Sequence, residues 1–436
     1  MGAQIGNLRV VSPTCADDIA ILACSKHEAQ ALLEIALILT DKDLVRINPT
    51  KTDLVPLTRK ATNFELNMGA NSIEQTNETK HLGLMRNSDN KIKVDERIRV
   101  GRKTIYALLG PGLHARQGTC PTISYKIWKT YVIPRILYGV EVLNHTLTDI
   151  KKLERLQVQI CKQIQGLPER TANLAAYSLL GVKPIELVVD RLTLTFLGNI
   201  LQDKTTIEFQ IVERQHAMMK TNTQNYANVI TNILRKYRLP ELYNILQDIP
   251  TKANWKKEIK DKIQEYWEKQ WIEEAKKRTS LKFLAIPKMG KTHYVWKTVP
   301  NDCIEVKKAE VKVRLLTGTY MLQSKEAKFS NNKETDICKL CYLETEDIEH
   351  FLIKCICLAD IRNKYFRTLK CYLDRIKRNI YNKIVRDGLL LQLILDPTMN
   401  SITSVIKLKY KNYMDIEQIT RTFCYYIHME RSKKVS

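Results

Sequence analysis

Four potential metal ligands in the C-terminal quarter of this 436-residue chain constrain its fold most strongly. They have the spacing Cys-x2-Cys-x8-His-x4-Cys and are Cys338, Cys341, His350 and Cys355. The first two cysteines can bind one ion from a tight turn, and the other two ligands can arrive from a helix that begins near Ile348. Three thiolates and one imidazole typically form a closed tetrahedral Zn²⁺ site. The bound ion would contribute folding free energy to a region with a small apolar cluster.

Two alternatives to this ligand set stay open. Cys357 is near enough in sequence to replace Cys355 as the fourth ligand, or to be a bystander. The four residues can also have this spacing by chance, with no ion between them.

A second candidate site is the pair of adjacent carboxylates Asp17 and Asp18. Short apolar segments with β-branched residues flank it at 5–11 and 19–23, and Pro13 separates the first segment from the pair. This pattern predicts a β-hairpin with both aspartates near its turn. Adjacent like charges repel, and a bound Mg²⁺ ion, which prefers hard oxygen ligands, would explain the pair. An ordinary turn rich in aspartate is the alternative.

The net charge of +23 indicates a nucleic-acid-binding protein. Residues 91–170 contain 15 lysines and arginines against 6 acidic residues, and residues 361–436 contain 16 against 6. Such basic segments attract phosphate backbones through counterion release, without recognising a base sequence. A basic soluble protein with no nucleic-acid ligand is the alternative.

The sequence contains no apparent targeting or membrane segment. Its longest apolar stretch, at 31–39, is too short for a membrane helix and includes Glu34. Met1-Gly2 does not begin a myristoylation motif, because position 6 is glycine. Eleven cysteines without a secretory signal favour a reducing compartment, and we expect a nuclear or cytoplasmic protein with no membrane partner.

Several motifs in order along the chain resemble those of non-LTR (LINE-type) retrotransposon reverse transcriptases. The hairpin Cys15-Ala16-Asp17-Asp18 resembles their Ala-Asp-Asp motif, with Cys15 at the usual aromatic position. The following segments resemble the next polymerase motif, the primer-grip strand, and the stretch before the LINE-type zinc knuckle: Asn48-Pro49-Thr50-Lys51-Thr52, Lys80-His81-Leu82-Gly83-Leu84 and Arg314-Leu315-Leu316-Thr317-Gly318.

The resemblance implies roles for individual residues. Asp17 and Asp18 would be catalytic ligands of Mg²⁺, Lys51 would neutralise or protonate departing pyrophosphate, and Gly83 would let the end of the primer approach. The alternatives are a solvated lysine after a turn for Lys51 and a simple bend for Gly83. This family uses a further aspartate from an earlier palm strand, and a fingers region also precedes the hairpin. Because the chain begins 16 residues before Asp17, we expect that it cannot polymerise DNA by itself and needs no small-molecule substrate.

Three basic amphipathic segments after residue 91 resemble the helical thumb of these polymerases. The thumb follows an RNA–DNA hybrid, so the resemblance implies RNA, an RNA–DNA hybrid or target DNA as partners. The zinc knuckle would help to bind RNA or target DNA. The candidate phosphate contacts are Arg102, Lys103, Arg116, Lys126, Lys129 and Arg135. Most basic residues of this kind are solvated surface, so we expect fewer than half of the six to contact nucleic acid.

These patterns together predict an α+β protein that is mostly α. We expect five consecutive regions: a partial palm with a small β-sheet and a helix, a helical thumb, a helical linker, a zinc-knuckle region and a basic helical tail, at 1–90, 91–200, 201–300, 301–360 and 361–436. In the linker, Trp255, Ile259, Ile263, Trp267 and Trp271 recur every four residues, and we expect this stripe to be core rather than a base-stacking surface.

Two other functions remain possible at this level. The chain can be a nucleic-acid-binding zinc protein without polymerase activity, in which Asp17 and Asp18 are relics. It can also be an unrelated helical zinc protein in which the aspartate pair is accidental. The ordered run of motifs favours the reverse-transcriptase lineage.

Overall fold

The computed structural model describes residues 1–57, 65–87, 93–109, 119–143, 145–218, 225–331 and 333–435. These residues are mostly helical with a few short antiparallel strands, which confirms the predicted mostly α, α+β class. The candidate phosphate contact Arg116 lies outside the described residues. None of the described helices is long and apolar enough to cross a membrane.

The chain forms two compact units, each built from separate segments. The first comprises Met1–Ile98, Ile136–Leu153 and Ile185–Glu265, and the second comprises Arg99–Arg135, Glu154–Pro184 and Tyr266–Ser436. The predicted division into five consecutive regions stays a prediction.

The described strands form four separate two-stranded antiparallel sheets in the first unit. In chain order they are β1 Ala3–Ile5, β2 Leu8–Val10, β3 Thr14–Cys15, β4 Asp18–Ile19, β5 Leu66–Met68, β6 Asn71–Ile73, β7 Glu78–His81 and β8 Leu84–Asn87. Each odd-numbered strand pairs with the next one in the chain.

The described α-helices span most of the remaining chain. They are α1 Lys26–Lys42, α2 Val94–Leu109, α3 Pro121–Ile127, α4 Ile133–Ile136, α5 Leu147–Ile164, α6 Asn173–Leu180, α7 Ile185–Ile200, α8 Ile207–Ala217, α9 Tyr226–Tyr237, α10 Leu242–Gln247, α11 Lys252–Lys276, α12 Tyr294–Lys297, α13 Cys303–Leu316, α14 Gln323–Phe329, α15 Ala359–Ile376, α16 Ile380–Arg386, α17 Leu390–Leu395, α18 Asn400–Val405 and α19 Tyr410–Val435.

The predicted hairpin at the aspartate pair is present, but its first strand is shorter than expected. Cys15 pairs with Asp18 across the turn, and the N–H of Leu22 donates to the carbonyl of Val11 at 2.7 Å. The apolar segment 5–11 is not one strand, because the chain reverses at Gly6, where φ is +62°. Glycine adopts this conformation without steric cost, so β1 and β2 form a hairpin of their own.

Helix α1 begins at a serine cap and packs its apolar face against a sheet. Its N-cap is Ser25, whose hydroxyl accepts a hydrogen bond from the Glu28 N–H at 3.2 Å. Leu33 on its buried face joins a core with Leu66, Met68 and Ile73 of β5 and β6. This contact gives a two-stranded sheet the apolar support that it needs for stability.

The tryptophan stripe of α11 is largely core, as predicted. Trp255, Ile259, Ile263 and Trp271 are each buried. The indole N–H of Trp255 donates to the Leu194 carbonyl at 2.9 Å, which satisfies its one polar atom. The stripe is therefore not a free surface for bases.

In the second unit, α13 packs against α19 around a buried ion pair. Lys312 Nζ lies 2.7 Å from both Glu417 Oε2 and the Thr420 hydroxyl, and all three side chains are buried. Arg421, one residue further along α19, donates to Glu305 at 2.9 Å. These paired charges fix how the two helices face each other.

Candidate metal centre

A short loop after α14 presents the first two cysteines. Ile337 forms an antiparallel bridge with Thr345, and the Cys338 N–H donates to the Glu344 carbonyl at 2.9 Å. Between these points the chain turns, and the Tyr342 N–H donates back to the Cys338 carbonyl at 2.9 Å. This turn places Cys338 and Cys341 on the same side, as the spacing of two residues predicts.

One irregular helical segment presents the histidine and the last cysteine. Asp347 Oδ1 accepts a hydrogen bond from the His350 N–H at 2.7 Å, and a π-helical turn follows over His350–Lys354. The Cys355 N–H then donates to the His350 carbonyl at 2.8 Å. In a π-helical turn each N–H bonds to the carbonyl five residues earlier, and this wide turn brings Cys355 back beside His350.

The four predicted ligands meet in space. Cys338 Sγ lies 3.9 Å from Cys355 Sγ, and Cys341 Sγ lies 3.4 Å from His350 Nε2. All four ligand atoms lie within 4.8 Å of one another, so the group can hold a metal ion such as zinc. Among the residues that the structure describes, this is the one group of three or more such side chains close enough to share an ion.

Cys357 is not part of the group. Its thiol donates to the Leu340 carbonyl at 3.2 Å and supports the turn between the first two cysteines. The alternative in which Cys357 replaces Cys355 is therefore not the arrangement that the structure adopts.

Neighbouring groups orient the ligands. Glu344 Oε2 lies 3.2 Å from His350 Nδ1, which leaves Nε2 directed at the thiols. The Arg362 guanidinium on α15 donates to the carbonyls of Leu352 and Cys355, at 3.2 Å and 2.6 Å. A carboxylate on the second ring nitrogen of a ligand histidine is a common arrangement that fixes the tautomer.

Burial disfavours the ionised form of two of the three thiols, Cys338 and Cys355. It raises the pKa of Cys338, and it raises the pKa of Cys355 to about 12. Burial also opposes ionisation of Cys341, but hydrogen bonds from the backbone N–H of Leu343 and from Cys338 outweigh it and lower the pKa of Cys341. A metal ion must therefore displace protons from the more buried thiols as it binds.

The C-terminal helix is tied to this loop by a buried ion pair. Arg431 on α19 donates twice to Glu346, from Nε to Oε1 at 2.6 Å and from Nη2 to Oε2 at 2.7 Å. The Gln323 N–H also donates to Glu346 Oε2 at 2.9 Å. No local sequence signal identified Glu344, Glu346, Arg362 or Arg431, since each depends on a partner brought close by folding.

The aspartate pair is exposed and lacks a third ligand within the described residues. Asp17 lies in the turn between β3 and β4, and Asp18 is the first residue of β4. No further acidic, histidine or cysteine side chain in the described ranges joins them in a metal-binding group. The structure therefore gives no support for the predicted Mg²⁺ site. Lys51 is exposed at the end of a short 3₁₀ turn, Pro49–Lys51, which Asn48 caps.

Gly83 lies in a turn rather than inside a strand. The segment 80–84 bends at Leu82 and Gly83, whose φ values are +49° and +76°, to join β7 to β8. A Cβ atom on Gly83 would lie 3.3 Å from the Tyr138 ring, whose hydroxyl donates to the Leu82 carbonyl at 3.1 Å. The neighbour of Gly83 in the structure is therefore this tyrosine side chain, and the role of Gly83 at the end of a primer stays a prediction.

Five of the candidate phosphate contacts are exposed. Arg135 Nη1 on α4 donates to the Thr104 hydroxyl on α2 at 3.2 Å, which links the two helices. Within the described part of the chain, no ion pair neutralises any of these five side chains. They are Arg102, Lys103, Lys126, Lys129 and Arg135.

The chain matches no known protein-family model and no curated protein. The resemblance to LINE-type reverse transcriptases therefore rests on the motifs described above.

Proposed function

We propose that this chain binds one structural zinc ion, that it binds RNA or DNA, and that it belongs to the lineage of LINE-type reverse transcriptases. The observation that carries the proposal is the meeting of Cys338, Cys341, His350 and Cys355 around one point. The order of the polymerase-like motifs supports the reverse-transcriptase lineage. In that lineage Lys51 and Gly83 would be residues of the ancestral site.

The distances between ligand atoms support zinc. Two thiolates bound at about 2.3 Å to one tetrahedral Zn²⁺ lie about 3.8 Å apart, and a thiolate and an imidazole nitrogen lie about 3.6 Å apart. The corresponding distances here are 3.9 Å between Cys338 and Cys355 and 3.4 Å between Cys341 and His350. With four protein ligands no coordination position stays open, so the ion has a structural role rather than a catalytic one.

Metal analysis tests this step. The purified chain should contain about one zinc ion, and Cys341→Ser should lose it. Cys371→Ser is the matched control, because Cys371 is an exposed cysteine outside the group and its replacement should leave the zinc content unchanged. A wild-type chain that folds fully without metal would contradict the zinc proposal.

Exposed positive charge supports the nucleic-acid step. Lys126 and Lys129 lie on the surface of α3 and the π turn that follows it, and the whole chain carries a net charge of +23. Exposed lysines that contact phosphates displace counterions from the nucleic acid. The affinity should therefore fall steeply as the salt concentration rises.

A charge-reversal series tests the nucleic-acid step. The double variant Lys126→Glu/Lys129→Glu should weaken binding to an RNA–DNA hybrid and reduce the slope of log affinity against log salt by about 2. Lys256→Glu/Lys257→Glu, on the exposed surface of α11, is the control and should have a smaller effect. Binding by the wild-type chain that does not change with salt would contradict the proposal.

The same proposal assigns no independent polymerase activity to the chain. In this proposal Asp17 and Asp18 are relics of an ancestral Mg²⁺ site, because no third ligand joins them in the described residues. We also propose a nuclear or cytoplasmic location, which the eleven free cysteines support.

A further inference from the structure

The outer surface of α13, α15 and α19 carries a cluster of tyrosines bordered by lysines. Tyr365 on α15 and Tyr426 on α19 stack with their ring centroids 6.0 Å apart and their planes at 16°. Tyr425 meets Tyr426 edge-on at 5.5 Å. Tyr426 is 43% exposed, so part of this aromatic surface faces solvent.

Helix packing in the second unit does not depend on the exposed part of Tyr426. Phe423, one turn away on α19, is buried and contacts both Tyr365 and Phe366, so it already packs α19 against α15. Met429 continues the exposed face one turn further along α19. The exposed part of Tyr426 therefore adds apolar area to the surface beyond what the packing of these helices uses.

Lysines are placed over both stacked rings. Lys364 Nζ lies 5.8 Å from the centroid of Tyr365, and Lys308 Nζ lies 5.9 Å from the centroid of Tyr426. Lys308 is paired with Glu305, whereas Lys364 has no acidic partner within the described residues. Exposed Lys307 and Arg367 add positive charge on the same two helices.

From this arrangement we infer that Tyr365, Tyr426, Lys308 and Lys364 form a binding surface for single-stranded nucleic acid. Unpaired bases stack on exposed aromatic rings, and neighbouring cations contact the phosphates that join them. A duplex keeps its bases stacked on each other and offers only its backbone, so it cannot use the rings. The positive charge favours a polyanion over an apolar protein partner.

The inference deepens the proposed function, since it rests on nucleic-acid binding and names the form that this surface takes. The tyrosine surface is separate from the metal group, because none of the four candidate ligands is part of it. The zinc proposal and the single-strand inference can therefore fail independently.

Fluorescence anisotropy with labelled oligouridine, oligothymidine and an RNA–DNA duplex tests the inference. Tyr426→Ala should weaken binding of both single strands by about tenfold and change duplex binding less than twofold. Tyr426→Phe keeps the ring and should bind within about twofold of the wild type. Lys364→Gln should lower the salt slope for the single strands by about 0.7.

Tyr243→Ala is the matched control, because Tyr243 is an exposed tyrosine on α10, in the other unit. Equal losses for single strand and duplex, or no loss in Tyr426→Ala, would overturn the inference. So would a change in oligomeric state in Tyr426→Ala without a change in affinity, since the surface would then be a contact between chains. Absence of all nucleic-acid binding by the wild type would instead overturn the proposed function.

Discussion

Arg431 and Glu346 are 85 residues apart in the chain, yet they form an ion pair with two hydrogen bonds. Arg431 Nε donates to Glu346 Oε1 at 2.6 Å, and Nη2 donates to Oε2 at 2.7 Å. Glu346 is almost fully buried, at 1% exposure, and lies in sequence between Cys341 and His350, the second and third candidate metal ligands. The pair therefore links the C-terminal helix α19 to the loop of the candidate metal centre. Paired guanidinium and carboxylate groups of this kind combine charge with a fixed geometry.

Arg431→Ala should destabilise the second unit by about 3 kcal/mol, because Glu346 would stay buried without its partner. Urea denaturation measures the free energy of unfolding. Arg375→Ala, at an exposed position on α15, is the control and should change stability by less than about 0.5 kcal/mol. Equal losses in both variants would show that the ion pair contributes nothing specific.

Glu344→Ala should weaken zinc binding by about tenfold while it leaves one ion per chain at saturating metal. The reason is that Glu344 holds Nδ1 of His350 and so keeps Nε2 directed at the thiols. Competition with a chelator measures the affinity. Glu349→Ala removes a neighbouring carboxylate that pairs with Lys354 instead of with a ligand, and its zinc affinity should stay at the wild-type level.

Asp396 should make the second unit sensitive to acid. Its buried carboxylate accepts hydrogen bonds from the Ala285 N–H and the Thr398 hydroxyl and lies 3.1 Å from His293 Nε2. Burial alone would raise the pKa of Asp396, but the charge and hydrogen bond of His293 and the other donors outweigh it, so the pKa is lowered. A lowered pKa means that this stability is present above the pKa of an unfolded aspartate, about 3.9, and disappears as the pH falls through the folded value.

The variant Asp396→Asn tests this account. It should lose about 3 kcal/mol at neutral pH and show a weaker loss of stability below about pH 4 than the wild type. Thermal unfolding between pH 3 and pH 7 follows the effect. Asp360→Asn, at an exposed position on α15, should keep the wild-type pH profile. A parallel decline with pH in Asp396→Asn and wild type would show that another group causes the acid sensitivity.

The purified chain should not extend a primer in the presence of Mg²⁺. Within the described residues Asp17 and Asp18 have no third ligand, and a two-metal phosphoryl transfer needs more carboxylate oxygens than one pair supplies. Extension of a labelled primer on an RNA template is the measurement. Robust extension that Asp17→Asn abolishes, while Asp41→Asn leaves it intact, would refute this prediction and restore Asp17 to a catalytic role.

Local features were the most predictable from sequence. The Ser25 cap, the turn at Asp17 and the buried Trp255 follow from hydrogen bonds or periodicities within a few residues. One local signal was missed, since Gly6 and Asn7 form a two-residue hairpin loop within a segment that looked like one strand. Turn chemistry there outweighs the apolar pattern, because glycine alone accepts the positive φ at no cost.

Sequence spacing by itself determined that Cys338, Cys341, His350 and Cys355 can meet, because a short covalent connection limits how far apart their side chains can lie. Only the tertiary structure decided that Cys357 stands aside, that Arg431 pairs with Glu346 and that Tyr365 stacks on Tyr426. These choices join segments that are distant in the chain. Their partners are selected by helix packing and by the need to satisfy buried charge, and neither is encoded in a local pattern.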